Sequence, residues 1–317
     1  MEDVDHVPVL PEETLRYLAP ERGGLYVDCT VGLGGHAAAL LDRAPRARLV
    51  GIDRDPEALA VAGRRLARFG DRALLVAANF HRLGAALAAA GIAGERPAGV
   101  LADLGVSSLQ LERAARGFSF RLEGPLDMRM GPGGRTAADV VNRSPEGEME
   151  RIFRDYGEER QARRIARAIV SARERAPIET TTELAELVRR AKGTAAGRRE
   201  GPGREGKIDP ATRVFQALRI AVNEELEGLR GFVEEAARLL ELEGRLVIIS
   251  YHSGEDRIVK NALRDLDRGE IDPITGRPLA ETRLIEVLTK KPVRPSAAEV
   301  AFNPRSRSAR LRAARRI

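Results

Sequence analysis

Asp28-Cys29-Thr30-Val31-Gly32-Leu33-Gly34-Gly35-His36 decides the fold. An apolar stretch, Leu25–Cys29, runs into it and reads as a buried strand. A helical stretch, Gly35–Arg43, runs out of it. Glycines at a strand-to-helix turn let the backbone bend tightly and approach a ligand with no Cβ in the way. Asp53 ends the next apolar stretch, 19 residues beyond Gly34. An acid at that distance, on the neighbouring strand tip, suits the ribose hydroxyls of a nucleoside. A purely structural reading also exists: a tight turn, with Asp53 capping the helix that follows.

Outward from this turn the first hundred residues alternate strand and helix. Candidate strands are Leu25–Cys29, Arg48–Asp53, Ala73–Asn79 and Ala98–Leu104, with helices near Gly35–Arg43, Pro56–Phe69 and Arg82–Ala90. Short apolar strands separated by helices predict a parallel sheet covered on both faces. After Leu104 the rhythm changes. Arg160–Arg175 is amphipathic, with Ile165, Ala166, Ile169 and Val170 on one face and Arg160, Arg163, Arg164 and Arg167 on the other. Thr180-Thr181-Thr182-Glu183 reads as a capping box for a helix to Ala191. Gly193–Gly206, rich in glycine and arginine, reads as a surface loop. Asp209 and Pro210 then predict a helix start, and Val214, Leu218, Val222 and Leu226 a buried stripe. A further helix over Phe232–Glu241, a strand over Arg245–Tyr251, a helix over Gly254–Leu266 and a closing pair, Leu284–Thr289 with Ala309–Arg315, complete the pattern. The fold class is therefore α/β and Rossmann-like. One discontinuous domain (1–108 and 208–317) is interrupted by a helical insertion (109–207).

A dinucleotide would set its pyrophosphate on the helix N-terminus. S-adenosylmethionine carries an ammonium and a sulfonium instead, and favours an acidic mouth beneath the turn. Asp28 sits there and points to S-adenosylmethionine, while the spacing alone leaves both open. Asp103 ends the fourth strand in Leu101-Ala102-Asp103-Leu104-Gly105-Val106-Ser107-Ser108. Ligands of doubly wound sheets collect outside the carboxyl ends of the strands, so Asp28, Asp53 and Asp103 are expected along one crevice.

The chain has 317 residues, 43% of them hydrophobic, so a sizeable core is available and wholesale disorder is excluded. No apolar run is long enough to span a membrane. The acidic start Met1-Glu2-Asp3-Val4-Asp5 is unlike a secretory leader. One cysteine, Cys29, allows no intramolecular disulfide and suggests the cytoplasm. His6, His36, His81 and His252 lie too far apart in sequence to read as a metal cage, so no metal is expected. The net charge is +6, with 53 Lys and Arg, nearly all of them arginine. Guanidinium suits phosphate recognition, though the excess is modest over the whole chain.

The motifs together resemble the bacterial small-subunit ribosomal RNA cytosine-N4 methyltransferases, nearly end to end. They include His6-Val7-Pro8-Val9-Leu10, Gly34-Gly35-His36, Gly51-Ile52-Asp53-Arg54-Asp55-Pro56 and Asp103-Leu104-Gly105-Val106-Ser107-Ser108 with Gln110. Arg116-Gly117-Phe118-Ser119-Phe120, Gly124-Pro125-Leu126-Asp127-Met128-Arg129-Met130 and Tyr156-Gly157-Glu158-Glu159 follow. Ala211-Thr212-Arg213-Val214-Phe215-Gln216, Val222-Asn223-Glu224-Glu225-Leu226, Ser250-Tyr251-His252-Ser253, Glu255-Asp256-Arg257-Ile258-Val259-Lys260 and Asn303-Pro304-Arg305 complete the set. The resemblance implies methyl transfer from S-adenosylmethionine to N4 of a decoding-centre cytidine in 16S rRNA. It implies cofactor contacts at Gly34, Gly35, His36, Asp53, Phe80, Asp103 and Gln110. Two features depart from wider methyltransferase patterns. Thr30 stands where many carry glycine. The loop after Asp103 lacks the Pro-Pro-aromatic that many amino-group methyltransferases place there, so the stacking ring must come from elsewhere.

Cytosine N4 is a poor nucleophile, because its lone pair is delocalised into the ring. An acceptor beside it would localise that pair and offset the charge that develops. Asp103 is the first candidate; His252, with Ser250, is the second. An extruded base also needs a plane to lie on. Phe118 and Phe120 with Arg121, and Tyr251, are candidate substrate contacts. Phosphate contacts are expected from the arginines of Arg160–Arg175, from Arg198, Arg199 and Arg204, and from the tail Arg305, Arg307, Arg310, Arg312, Arg315 and Arg316. The expected partner is 16S rRNA, within the small subunit, and both monomer and homodimer remain open.

Overall fold

The computed structural model describes residues 7–193 and 209–317. The expected loop arginines Arg198, Arg199 and Arg204, and His6, lie outside the described residues. In chain order the elements are α1 (Pro11–Leu18), β1 (Gly24–Asp28), α2 (Gly35–Arg43), β2 (Ala47–Asp53), α3 (Pro56–Leu66), β3 (Ala73–Ala77), α4 (Leu83–Ala89) and β4 (Gly99–Asp103). Then come α5 (Ser108–Glu112), α6 (Ala137–Arg143), α7 (Glu146–Asp155), α8 (Ala162–Arg173), α9 (Thr181–Ala191) and α10 (Thr212–Asn223). The chain ends with α11 (Leu229–Leu239), β5 (Arg245–Ser250), α12 (Ser253–Arg268), β6 (Ile285–Val287), α13 (Ala297–Phe302) and β7 (Arg310–Arg316).

The chain divides into two compact units, Met1–Ser107 with Leu226–Ile317, and Ser108–Glu225. The first is built on a seven-stranded sheet in the order β3-β2-β1-β4-β5-β7-β6. Strands β1 to β5 pair in parallel, and β7 lies antiparallel between β5 and β6. This is the α/β, Rossmann-like architecture expected. The order reverses at β1 and β4, so the switch point falls between Asp28 and Asp103. Alternate residues feed two cores. Leu25, Val27, Val100, Leu246 and Ile248 pack with α4, α11 and α12. Tyr26, Leu49, Leu101, Val247 and Ile249 pack with α1 and α2 on the other face. Burial on both faces is why these strands read as continuous apolar runs.

The expected closing pair forms as β6 and β7, separated by α13 rather than by a tight turn. Its arginines are largely spoken for. Arg312 is 6% exposed and forms two hydrogen bonds to Asp256 of α12, at 2.6 and 3.3 Å. Arg310 lies 3.6 Å from the same carboxylate, and Arg315 pairs with Glu243 and Glu286. The antiparallel strand thus spends much of the tail's charge within the sheet unit, on α12, β6 and the turn before β5.

The second unit is helical. Helix α8 buries Ile165, Ala166 and Ile169 and exposes Arg163, Arg164 and Arg167, as its periodicity predicts, while Arg160 is exposed in the turn that precedes it. Thr180 caps α9 by accepting from Glu183 N–H, but the Glu183 carboxylate reaches Glu179 N–H instead of closing a capping box. The unit boundary differs from the expected one: 209–225 belong with the helices, not with the sheet. The reason is local. Helix α10 packs on α7 and α6, and Asn223 at its end accepts from Met130 N–H and donates to the Met128 carbonyl. Asp209 accepts from Ala211 N–H one turn early, so α10 proper begins at Thr212 and not at Pro210.

Candidate active site

Three strand ends of the sheet unit carry the predicted acids. After β1 the chain turns through Gly32 and Gly34, and Gly34 takes φ +79° as the N-cap of α2. That left-handed backbone accounts for glycine at this point, since a Cβ would meet the Ala62 backbone of α3 only in ordinary contact at 3.4 Å. The turn is tied to β2 by Val31 N–H on the Ile52 carbonyl at 2.9 Å. Asp53 sits at the tip of β2. Its Oδ2 accepts from Gly32 N–H and its Oδ1 from Asp55 N–H, both at 2.9 Å. The cap of α3 is Asp55, accepting from Glu57 N–H at 3.1 Å, so the structural reading of Asp53 as a helix cap gives way. With one amide on each oxygen, Asp53 is held in place and retains lone pairs for a further donor. Burial pushes its pKa up, and the amides of Asp55 and Gly32 oppose that.

Asp28 ends β1 at 2% exposure, with Thr30 N–H on its Oδ1 at 3.2 Å. Burial pushes its pKa up to about 7, against the pull of nearby His36 and of the Thr30 amide. His36 opens α2 at 8% exposure. Its Nε2 is buried without a hydrogen-bond partner, 3.5 Å from Asp103 Oδ2. Asp103 ends β4, and its Oδ1 accepts from the Tyr251 hydroxyl at 2.8 Å. Asp28, His36, Asp103 and Tyr251 are therefore brought together. Phe80 follows β3, half-buried and edge-on to Phe232 with 4.8 Å between ring centroids. It is as much a core residue as a site residue. Gln110 lies on α5 in the helical unit, buried at 4% exposure.

The other candidates have structural occupations. Ser250 is fully buried, and its hydroxyl has no partner. His252 caps α12: its Nδ1 accepts from Glu255 N–H at 3.4 Å, and its Nε2 faces Glu255 Oε1 at 3.2 Å. The cap thus engages Nδ1, whereas Nε2 is buried and makes no hydrogen bond. Tyr251 turns its hydroxyl to Asp103 and its ring against Gly105, so it does not stand out as an open stacking plane. In the helical unit Phe118 is 7% exposed and belongs to the core. Phe120 packs edge-on to Phe215 at 4.9 Å, beneath the Arg189 guanidinium. Of that loop's three candidates Arg121 alone is exposed. The loop interleaves rings and arginines because it closes the unit's interior.

The family model described as the MraW methylase family matches residues 3–317. The chain belongs to the MraW methylase family. It is a methyltransferase that uses S-adenosylmethionine. Relatives named ribosomal RNA small subunit methyltransferase H include one from Heliobacterium modesticaldum, 48% identical over 98% of both chains. Another, from Geotalea uraniireducens, is 48% identical over the full length of both. The crystal structure of an rRNA methylase from Streptococcus thermophilus aligns over 100% of this chain and 99% of that one, with TM-score 0.40 and 11% identity.

The residues of this MraW-family chain fit the cofactor. Three carboxylates at adjacent strand tips suit a ligand with a sulfonium and an ammonium. Asp53 is set for a diol. The buried Nε2 of His36 lacks a partner, as a donor awaiting a ligand would. Thr30 was legible only as a departure from glycine. Its hydroxyl accepts from Asp103 N–H at 2.7 Å, a contact between β1 and β4 that no local spacing announces.

Proposed function

We propose that this MraW-family enzyme methylates N4 of a cytidine in 16S rRNA, in the cytoplasm, with the small ribosomal subunit as partner. The observation that carries the reading is the row of carboxylates at the β1, β2 and β4 tips, with Asp53 held by two backbone amides and Asp103 by a tyrosine hydroxyl. An RNA-binding assembly factor without chemistry has no use for such a row, and the family relation points the same way.

When bound, S-adenosylmethionine supplies an electrophilic methyl group on a sulfonium. Asp53 would hold the ribose hydroxyls, and Gly34, Gly35 and His36 would line the turn around the cofactor. Phe80 completes the proposed cofactor contacts of the sheet unit. Asp103 accepts from the N4 amine of the extruded base, a pairing that carboxylates make readily with that group. This localises the nitrogen lone pair. Asp103 would take the proton that N4 gives up when it receives the methyl group. Buried surroundings strengthen that interaction relative to water. Arg121 and the remaining face of Phe120 are proposed contacts to the RNA, and His252 stays in its capping role.

Mass spectrometry of rRNA nucleosides tests the whole. Small subunits lacking the modification, incubated with the protein and methyl-labelled S-adenosylmethionine, should gain labelled N4-methylcytidine in 16S rRNA. Label on another base, or none, ends this reading.

A further inference from the structure

Asp103 comes from the end of β4, yet its place is fixed by side chains from two other strand ends. Thr30, just after β1, takes its backbone N–H at 2.7 Å. Tyr251, just after β5, donates its hydroxyl to Oδ1 at 2.8 Å. We propose that Thr30 and Tyr251 are positioning residues that aim the Asp103 carboxylate at the substrate amine, a role that rests on the acceptor function given to Asp103 above.

A lone aspartate at a strand end rotates broadly about its terminal torsion. An acceptor displaced by about 1 Å can cost about 100-fold in rate. Two hydroxyls on separate strands remove that freedom, one through the backbone and one through the carboxylate. Tyr251 is itself held. Its N–H donates to Glu255 Oε2 at 2.8 Å. Its ring lies against Gly105, where a Cβ would meet ring carbon Cδ2 at 3.3 Å. Gly105 takes φ +103°, so this close approach needs glycine twice over. Burial raises the Tyr251 pKa well above 10, with Asp103 adding to the effect, so the hydroxyl keeps its proton and remains a donor. The loop 103–106 lacks the aromatic that many amino-group methyltransferases carry there. In this chain β5 delivers an aromatic beside the same acid. Thr30, out of place as a cofactor-turn glycine, is explained as the second mount.

The test is single-turnover methyl transfer to small subunits at saturating S-adenosylmethionine, with thermal unfolding measured alongside. Tyr251→Phe keeps the ring and should lower the rate about tenfold with an unchanged melting temperature. Thr30→Val should lose a similar factor, and Thr30→Ser should recover the wild-type rate. In an Asp103→Asn background, Tyr251→Phe should cost nothing more. A wild-type rate in Tyr251→Phe would overturn the proposal for Tyr251, and Thr30→Ser as slow as Thr30→Val would overturn it for Thr30. An equal tenfold loss in the Asp103→Asn background would also overturn it, because the hydroxyl would then act without Asp103. These results fail separately from the functional reading, which falls only if the wild-type protein itself methylates no cytidine.

Discussion

Asp53 accepts one backbone amide on each carboxylate oxygen, and that arrangement is worth more than either contact alone. The amides are rigid, so the carboxylate presents its remaining lone pairs without rearrangement. Charged hydrogen bonds contribute about 1.5–3 kcal/mol each. Asp53→Ala should therefore weaken S-adenosylmethionine binding by at least about tenfold in calorimetry, and unchanged affinity would remove Asp53 from the site. Asp28 makes a different prediction, about pH. Its pKa is about 7 in the folded protein against an ordinary 3.8. Between those values the folded state holds a proton that the unfolded state has released, so stability is lost as pH rises through that window. The cost above pH 7 is at most about 4 kcal/mol. His81 acts in the opposite sense: burial lowers its pKa to about 4 from 6.5, so its contribution is lost as pH falls through that range. Asp28→Asn should accordingly gain stability relative to the wild type between pH 5 and pH 8 in urea unfolding. A constant difference across that range would mean that Asp28 is ionised throughout.

Elements were legible wherever local chemistry set them. The glycine turn, its strand and its helix came from nine residues, because positive φ and a strand-to-helix switch leave composition marks. The β5 and β7 apolar runs were equally readable. Helices α1, α5, α6, α7 and α13 fall outside every range the sequence predicts, because helix stability in proteins comes more from tertiary packing than from local propensity. The allegiance of α10 was missed for a related reason: a buried stripe says that a helix packs, not on what. Tyr251, Thr30 and Asp103 meet across 73 and 148 residues of chain, and no spacing rule reaches that far. The tail arginines look like phosphate ligands in the sequence because alternation along an antiparallel strand does not reveal the acids opposite. Arg312 and Asp256 now carry a stability prediction. Removing one partner of a buried ion pair leaves the other uncompensated, at about 3–5 kcal/mol. Arg310 nearby offsets part of this, so Arg312→Leu should cost about 3 kcal/mol in urea unfolding. A cost below 1 kcal/mol would return Arg312 to the pool of arginines available to a ligand.

At the scale of the whole molecule the +6 net charge says little until its placement is known. Strand β7 neutralises much of its own charge within the sheet unit. Helix α8 and the turn before it do not: Arg160 in the turn and Arg163 and Arg164 on the helix are exposed, and Arg167 makes only a long approach of 3.9 Å to Glu146. Exposed pairs of that kind contribute little, so this face retains its charge toward solvent. If RNA lies along it, each arginine that neutralises a phosphate releases a counterion, and binding weakens with salt in proportion. For single-stranded RNA the logarithmic slope changes by about 0.7 per contact. Replacing Arg160, Arg163 and Arg164 together by glutamine should therefore flatten the salt dependence of rRNA binding by about 2, without moving the melting temperature or S-adenosylmethionine affinity. The matching change at Arg315 and Arg316 should leave the slope where it is, because the first is held by Glu243 and Glu286 and the second by the Leu284 carbonyl. The opposite pattern, a slope that responds to β7 and ignores α8, would move the RNA path from the helical unit to the sheet.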